Sequence, residues 1–300
     1  MDKIRKSHIV ATVLAAITMG IASGSAIAKT LEVPLPEPGA FELFIDNQYW
    51  PLPIGESFAY VAETEDGCEY NKLTVTSDTE EISVGGFTYF TIIVRDQEWE
   101  SEDCLPSEAI LAEDTHDFYL MERVAKNVWY FGEDTWSIDE DSCTEDGEDC
   151  ECTDDGAWVA GIDDAVPGIV MLGSPSSGDR YQQEYWEEEA EDWGAVLRLN
   201  AKVSIKHGDF EGCLMTREWT PLEPGEIEHK FYCPQAGNLG PGLMFIEELK
   251  GKTVYVEYVG ADFAFDLPGD ADDGFEFPAD QRQNLHRRTR RIRSCLSIPR

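Results

Sequence analysis

An arginine and a histidine stand together in the one stretch whose strands can be aligned from the residues alone. If the chain turns back over residues 221–225, Arg217 and His229 become cross-strand neighbours on a face that is otherwise apolar. Arginine keeps its charge at all relevant pH values, whereas burial favours neutral histidine. The pair predicts either a site for an anionic ligand, or a general base beside a group that stabilises an oxyanion.

The residues around this pair complete a candidate binding site. Aromatic and apolar side chains on the same predicted face would hold the apolar part of a small ligand. Glu184, Glu191 and Asp192 are nearby acidic residues that could instead join the pair in an internal ion-pair network without a ligand. The predicted ligand-binding set is Arg217, His229, Trp219, Phe231, Met215 and Glu184.

A three-stranded antiparallel meander positions these residues. Residues 197–205 alternate apolar and polar side chains, which is the period of a half-buried strand. Turns at residues 207–209 and 221–225 separate this strand from two more, at 210–220 and 226–233. Further strands are predicted at 58–64, 71–77, 88–95, 117–124, 128–131, 158–161, 180–185 and 253–259, and no helical period is sustained. The sequence therefore predicts an all-β fold, with an antiparallel meander forming a curved sheet or open barrel and with long acidic loops.

The register of the meander follows from the separation of its apolar and polar faces. We expect Lys206 opposite Phe210 in the first hairpin and Thr220 opposite Glu226 in the second. This register places Cys213 opposite Cys233 and predicts a disulfide between them.

All eight cysteines follow residue 28, where a predicted signal peptide ends. Together with export, they indicate disulfides in an oxidising compartment. Cys68 and Cys104 flank the same early strands and form a second predicted disulfide. The remaining pairings stay open, since eight cysteines allow 105 connectivities.

The organisation of the chain begins with a predicted signal peptide: a basic start, an apolar run over residues 9–21 and the cleavage motif Ala-Ile-Ala. We expect a periplasmic or secreted protein with no membrane span once the signal is removed. The predicted units are a signal peptide (1–28), a proline-rich linker (29–45), a single β domain (46–261) with a cysteine-rich acidic insert (139–156), and an acidic then arginine-rich disordered tail (262–300).

The charge of the chain limits its partners. Sixty acidic residues against 23 lysines and arginines give a net charge of −37, a field that repels nucleic acids. We therefore expect no nucleic-acid partner for the β domain and treat a small-molecule ligand as the candidate partner. The oligomeric state stays open.

The acidic insert is a candidate calcium site. Asp139, Asp141, Glu145 and Asp146 offer the hard oxygen ligands that Ca²⁺ prefers, although no 12-residue EF-hand pattern fits. Zinc is disfavoured because the insert lacks paired C-x₂-C knuckles and a nearby histidine. A solvated acidic loop is the alternative interpretation. No other cofactor is predicted.

Several motifs mark a resemblance to known proteins. Asn-Gln-Tyr-Trp-Pro-Leu at 47–52, a Val-Trp-Tyr-Phe-Gly-Glu-Asp run at 128–134 and Trp-Thr-Pro-Leu-Glu-Pro-Gly at 219–225 resemble an uncharacterised family of secreted bacterial all-β proteins. More loosely, the chain is similar to exported proteins built on a curved sheet or half-barrel. The resemblance implies the fold and export, and it supplies no catalytic residues.

Three function classes follow from the sequence. The first is an exported binding protein that holds a small amphiphilic or anionic ligand on a curved β-sheet. The second is a hydrolase or lyase that uses His229 and Arg217. The third is a structural or surface protein stiffened by disulfides and Ca²⁺.

The calcium prediction can be tested by thermal unfolding. A specific site would raise Tm in Ca²⁺ well beyond the rise in NaCl of equal ionic strength, because binding to the folded state adds to charge screening. We expect the solvated loop, and therefore equal shifts in the two salts. A larger rise in Ca²⁺ that a chelator reverses would contradict that expectation.

Overall fold

The computed structural model describes residues 29–139, 151–154, 156–234, 242–249, 252–260 and 293–294. These residues form twenty strands and two short 3₁₀ turns, at Pro38–Ala40 and Pro106–Glu108. The strands of the first half are β1 (Lys29–Thr30), β2 (Phe41–Glu42), β3 (Ile45–Asp46), β4 (Pro51–Leu52), β5 (Ser57–Glu63), β6 (Cys68–Val84), β7 (Phe87–Ser101), β8 (Ile110–Glu122) and β9 (Val128–Asp139). Those of the second half are β10 (Glu151–Thr153), β11 (Trp158–Val159), β12 (Val166–Met171), β13 (Asp179–Gln182), β14 (Glu184–Tyr185), β15 (Trp193–Ile205), β16 (Gly208–Trp219), β17 (Glu228–Tyr232), β18 (Leu243–Glu248), β19 (Val254–Gly260) and β20 (Arg293–Ser294).

One antiparallel sheet curls into a nearly closed barrel with a single seam. Strands β5 to β9 pair in sequence order, and β9 pairs with β12. On the other side β13 pairs with β15, and β15 to β19 follow in order until β19 pairs with β5. The prediction of an all-β curved sheet or open barrel is confirmed.

The seam lies where the segment 179–185 changes partners. Its first part, β13, pairs with β15, whereas its second part, β14, pairs with β12. The backbones approach closely at this point, because a Cβ on Gly168 would lie 2.3 Å from the carbonyl oxygen of Gln183. A side chain at position 168 would therefore push the two edges apart.

The predicted meander is present, with one hairpin in the expected register and one in a different register. Across β16 and β17, Met215 faces Phe231 as predicted. The predicted pairing of Lys206 with Phe210 is wrong, because Ile205 pairs with Gly208 across a two-residue turn. Bulges in β15 shift its pairing further, so that residue 217 faces 195 instead of 199. The sequence did not reveal these bulges, because its apolar residues recur at every second position from 197 to 205 without a break. The bulges nevertheless change which positions face inward, so that Leu197 and Leu199 are exposed whereas Ala201 and Val203 are buried.

Both predicted disulfides are present in the structure. Cys68 bonds Cys104 and joins the start of β6 to the loop after β7. Cys213 bonds Cys233 and joins β16 to the end of β17.

The interior of the barrel changes character along its strands. On β7, Ile92 and Val94 are fully buried, and Asp96 and Glu98 follow them on the same side of the strand. On β8, the inward positions before buried Tyr119 carry an acidic side chain, Asp117, and a hydroxyl side chain, Thr115. One half of the interior is therefore an apolar core, and the other half is lined by carboxyl groups.

The strands extend further than the sequence predicted. Strand β9 was expected to end at residue 131 and continues to Asp139, while β7 continues from 95 to Ser101. Strands β12 and β18 were not predicted. In each long strand the apolar alternation stops where the carboxyl-lined half begins, which removes the signal by which strands are recognised.

The residues before the barrel also pack against it. Within the predicted linker 29–45, Phe41 and Ile45 are buried, and β2 pairs with the end of β8. No helix in the described ranges is long and apolar enough to cross a membrane. The predicted signal peptide lies outside the described residues, as does the tail except Arg293–Ser294, and the domain boundaries stay a prediction.

The Cys213–Cys233 bond should contribute to stability by restricting the unfolded chain. The two cysteines are 20 residues apart, and the chain-entropy estimate for such a loop is about 3 kcal/mol. We expect Cys213→Ala with Cys233→Ala to lower the free energy of unfolding in urea by that amount. Peptide mapping under non-reducing conditions that joins Cys213 to another cysteine would contradict the observed strand pairing.

Candidate functional site: an acidic cavity inside the barrel

A cavity of about 330 Å³ occupies the carboxyl-lined half of the barrel. Its walls combine acidic groups with tyrosines and aliphatic side chains, and among the described lining residues Lys230 is the only lysine or arginine. The acidic lining residues are Glu69, Asp96, Glu98, Asp117, Glu184, Asp192, Glu218 and Glu248. The aromatic ones are Trp50, Tyr60, Tyr119, Tyr130 and Tyr232.

Strand alternation brings these acids together. Asp96 and Glu98 are two residues apart on β7, so both side chains point inward. Asn71 on the adjacent β6 donates a hydrogen bond to Asp96, with 2.7 Å between Nδ2 and Oδ1. Burial raises the pKa of Asp96 to about 8. This carboxyl therefore retains its proton over much of the neutral range.

The single lysine is already neutralised by protein carboxylates. Lys230 Nζ lies 3.2 Å from Glu218 and 3.0 Å from Glu228. Burial lowers the pKa of Lys230, but the attraction of these two carboxylates outweighs burial and raises it well above the ordinary value. Glu218 also accepts hydrogen bonds from Gln183, Thr216 and Tyr232. Lys230 consequently offers little positive charge to the other acids of the cavity.

A tyrosine hydroxyl bridges two buried carboxyl groups. Tyr130 Oη lies 2.7 Å from Asp117 Oδ1 and 2.7 Å from Glu133 Oε2. A hydroxyl has one proton to donate, so the second contact requires a protonated carboxyl as its donor. Burial raises the pKa of Asp117 well above its ordinary value and that of Glu133 to about 8. The two short contacts and the raised pKa values both indicate that Tyr130, Asp117 and Glu133 hold one proton more than they would with both carboxyl groups ionised.

Three further glutamates face the cavity without a hydrogen-bond donor. Glu69, Glu98 and Glu248 come from β6, β7 and β18, and no donor among the described residues contacts their carboxyl groups. Burial, followed by repulsion from Glu69, raises the pKa of Glu98 to about 7. These groups can accept a ligand's donors without breaking an existing interaction.

Glu184 lies at the seam and is oriented by an indole. Trp158 Nε1 donates a hydrogen bond to its carboxyl group at 3.0 Å. Trp158 reaches this position because Gly132 has a φ of +118° and a Cβ there would lie 2.1 Å from the Trp158 carbonyl oxygen. Burial raises the pKa of Glu184 to about 8.

The structure divides the predicted ligand-binding set between two faces of the sheet. Glu184 lines the cavity, whereas Met215, Arg217, Trp219, His229 and Phe231 do not. Their strand neighbours Glu218, Lys230 and Tyr232 point into the cavity, so alternation places the five on the opposite face.

The carboxylate beside His229 also differs from the predicted ones. His229 Nδ1 lies 3.2 Å from Glu247, and neither Glu184, Glu191 nor Asp192 is its partner. Glu247 was missed because β18, which pairs with β17, was not predicted. The ligand-binding role of Arg217 and His229 stays a prediction.

The predicted calcium ligands lie almost entirely outside the described residues. Asp139 is the last residue of β9, and Asp141, Glu145 and Asp146 fall in the range 140–150. Among the described side chains, no group of three or more His, Cys, Asp or Glu residues is arranged to hold a metal ion.

The sequence contained one unused signal for the cavity. Asp96 and Glu98 on β7, and Glu113 and Asp117 on β8, occur at even spacings that continue the inward positions of the apolar half. A continued period of two with acids in place of apolar residues would have extended the strands and indicated an acidic interior.

Comparisons with known proteins add little to this description. No family model matches the chain, and no curated protein matches it. The chain is similar to a crystal structure from Bacteroides fragilis NCTC 9343, described as an exported protein with a YmcC-like fold. The identity is 14%, the match covers 70% of this chain and 96% of that one, and the TM-score is 0.27. A likeness at this level carries no argument about function.

The raised pKa values make stability depend on pH. A carboxyl whose pKa is higher in the folded state binds its proton more tightly there, so its stabilising contribution is complete below the unfolded pKa near 4. That contribution is lost as pH rises towards the folded values of about 7 to 8. We expect urea unfolding to show higher stability at pH 5 than at pH 8.5.

Neutral variants identify the groups responsible. Asp96→Asn with Glu98→Gln should reduce the difference in unfolding free energy between the two pH values by several kcal/mol, because each pKa unit by which the folded value exceeds pH 5 corresponds to ~1.4 kcal/mol. Glu81→Gln removes a charge from an exposed position on β6 and should leave the difference nearly unchanged. A flat pH profile in the wild-type protein would contradict the assignment.

Proposed function

We propose that this protein is an exported binding protein that holds a small organic cation with an apolar part inside the barrel. The observation that carries the proposal is the composition of the cavity wall, in which the described residues include eight acidic side chains and one lysine that is already ion-paired. A cationic ligand supplies the positive charge that this interior lacks.

The remaining lining residues favour an organic cation with apolar surface. Tyr60, Tyr119, Tyr130 and Tyr232 present aromatic rings, which attract cations through their negative faces. Leucine, isoleucine and valine side chains line the same space. The volume of about 330 Å³ lies at the lower end of the roughly 300–1,000 Å³ range of small-molecule pockets. These features support an amine or quaternary ammonium attached to a compact hydrocarbon group.

Export is supported by the disulfides and by the predicted signal peptide. Two disulfides lie within the described chain, and such bonds persist in oxidising compartments. A periplasmic or secreted location is part of the proposal.

The sequence-based preference for an anionic ligand does not fit this cavity. Its unpaired carboxyl groups would repel an anion, and Arg217 and His229 lie on the other face of the sheet. The hydrolase or lyase prediction would require a substrate on that outer face and stays a prediction. The calcium-stiffened surface protein depends on residues outside the described ranges.

Calorimetric titration with matched probes tests the proposal. Benzyltrimethylammonium carries a fixed positive charge, benzyl alcohol is neutral and benzoate is negative. At pH 8.5, above the raised pKa values of about 7 to 8 of Asp96, Glu98 and Glu184, we expect the cation to bind at least tenfold more tightly than either analogue, because it alone offsets the ionised carboxylates. Comparable affinity for all three, or a preference for benzoate, would refute the proposed ligand class.

Two variants separate the cavity from the general charge of the protein. Asp96→Asn with Glu98→Gln should weaken benzyltrimethylammonium binding at least tenfold. The surface change Glu81→Gln should have almost no effect at physiological ionic strength, where exposed charges are screened. Equal losses in the two proteins would mean that the cation is attracted to the acidic surface.

A further inference from the structure

Two arginines and two tryptophans form an alternating stack on the outer face of the barrel. They come from three neighbouring strands, β13, β15 and β16. Trp193 faces Trp219 across β15 and β16, and the adjacent row contains Arg180, Ala195 and Arg217. Residues that pair across neighbouring strands point to the same face, and so do residues two apart in one strand. All four large side chains therefore lie on the same face.

The stack orders both guanidinium groups. The Arg180 guanidinium carbon lies 4.4 Å from the ring centre of Trp193 and 4.8 Å from that of Trp219. Arg217 lies over Trp219 at 4.9 Å. Stacking on indole rings holds each planar guanidinium by its face, which leaves its N–H edges for hydrogen bonding.

Neither guanidinium is paired with a carboxylate in the described part of the chain. In addition, Arg180 Nε is buried and has no hydrogen-bond partner there. Arg95, in contrast, makes a two-pronged ion pair with Asp114, at 2.8 and 2.5 Å.

We propose that this outer face is a second binding site, which takes an oxyanion at the N–H edges of Arg180 and Arg217, the two guanidinium groups that flank Trp219. Carboxylate, sulfate and phosphate groups match the N–H pairs of a guanidinium and form short, charge-assisted hydrogen bonds with them. Trp193 and Trp219 hold the two donors in place, and Trp219 lies between them. The site shares Arg217 and Trp219 with the sequence-based prediction and adds Arg180 and Trp193.

This second site is independent of the cavity. The sheet itself separates the two sites, since Glu218 points into the cavity from β16, while its neighbours Arg217 and Trp219 point to the outer face. The strongly negative chain repels anions at long range, so affinity must come from the local guanidinium contacts. An oxyanion site of this kind should therefore lose binding when either arginine loses its charge.

Titration of the folded protein with inorganic sulfate, inorganic phosphate and phenyl phosphate tests the proposal, with tryptophan fluorescence and calorimetry as readouts. We expect saturable binding of at least one of these probes. Arg180→Gln and Arg217→Gln should each weaken it at least tenfold, because each removes one of the two charged donors. Tighter binding of phenyl phosphate than of inorganic phosphate would identify an oxyanion attached to an organic group as the ligand.

The control is Arg198→Gln, which removes an exposed arginine from β15 outside the stack and should leave binding unchanged. If the glutamine variants do not fold, Arg217→Lys keeps the charge and removes the two-pronged donor, and it should still weaken binding. In the wild-type protein, the NMR signal of the Arg180 Nε–H group should shift on saturation with the probe. No saturable binding, or equal binding in the Arg180→Gln/Arg217→Gln variant, would overturn the proposal.

Discussion

The cost of enclosing carboxyl groups within a curled sheet governs the interior of this protein. A buried carboxylate is costly unless it is paired, hydrogen-bonded or protonated. All three arrangements occur here. Glu218 is paired with Lys230 and accepts three further hydrogen bonds. Tyr130 bridges two carboxyl groups that must share an additional proton, and burial keeps Asp96 protonated into the neutral range.

Sheet closure decides which side chains meet in this interior. Strand β19 returns to β5, and the segment 179–185 joins both sides of the seam by pairing first with β15 and then with β12. Acidic residues from opposite ends of the chain, such as Glu69 and Glu248, consequently line one cavity. The core in the other half of the barrel supplies the apolar burial that offsets the cost of this polar region.

The two faces of one strand have opposite chemistry. On β16, Glu218 points into the acidic cavity, while Arg217 and Trp219 belong to the outer stack. Because successive side chains of a strand point to opposite faces, the two surfaces lie on the two sides of a single sheet. A register slip of one residue would exchange them, bringing Arg217 into the acidic cavity and placing Glu218 on the outer face. Strand β16 therefore contributes both to the acidic interior and to the arginine–tryptophan stack outside it.

The sequence alone determined the features that depend on local pattern. Alternation and turn residues identified the all-β class, and the second hairpin of the meander aligned Met215 with Phe231 as observed. The Cys213–Cys233 and Cys68–Cys104 disulfides were also predictable. Only the tertiary structure decided which face of the meander would line a cavity: the face with Glu218 and Lys230 points inward, whereas the more apolar face, on which the sequence placed the site, points outward. It also decided the register of β15, where bulges leave no mark on alternation, and it gathered acids from distant strands by closing the sheet. Local sequence cannot show such closure, because the contacts that produce it join residues nearly 200 positions apart, as between β5 and β19.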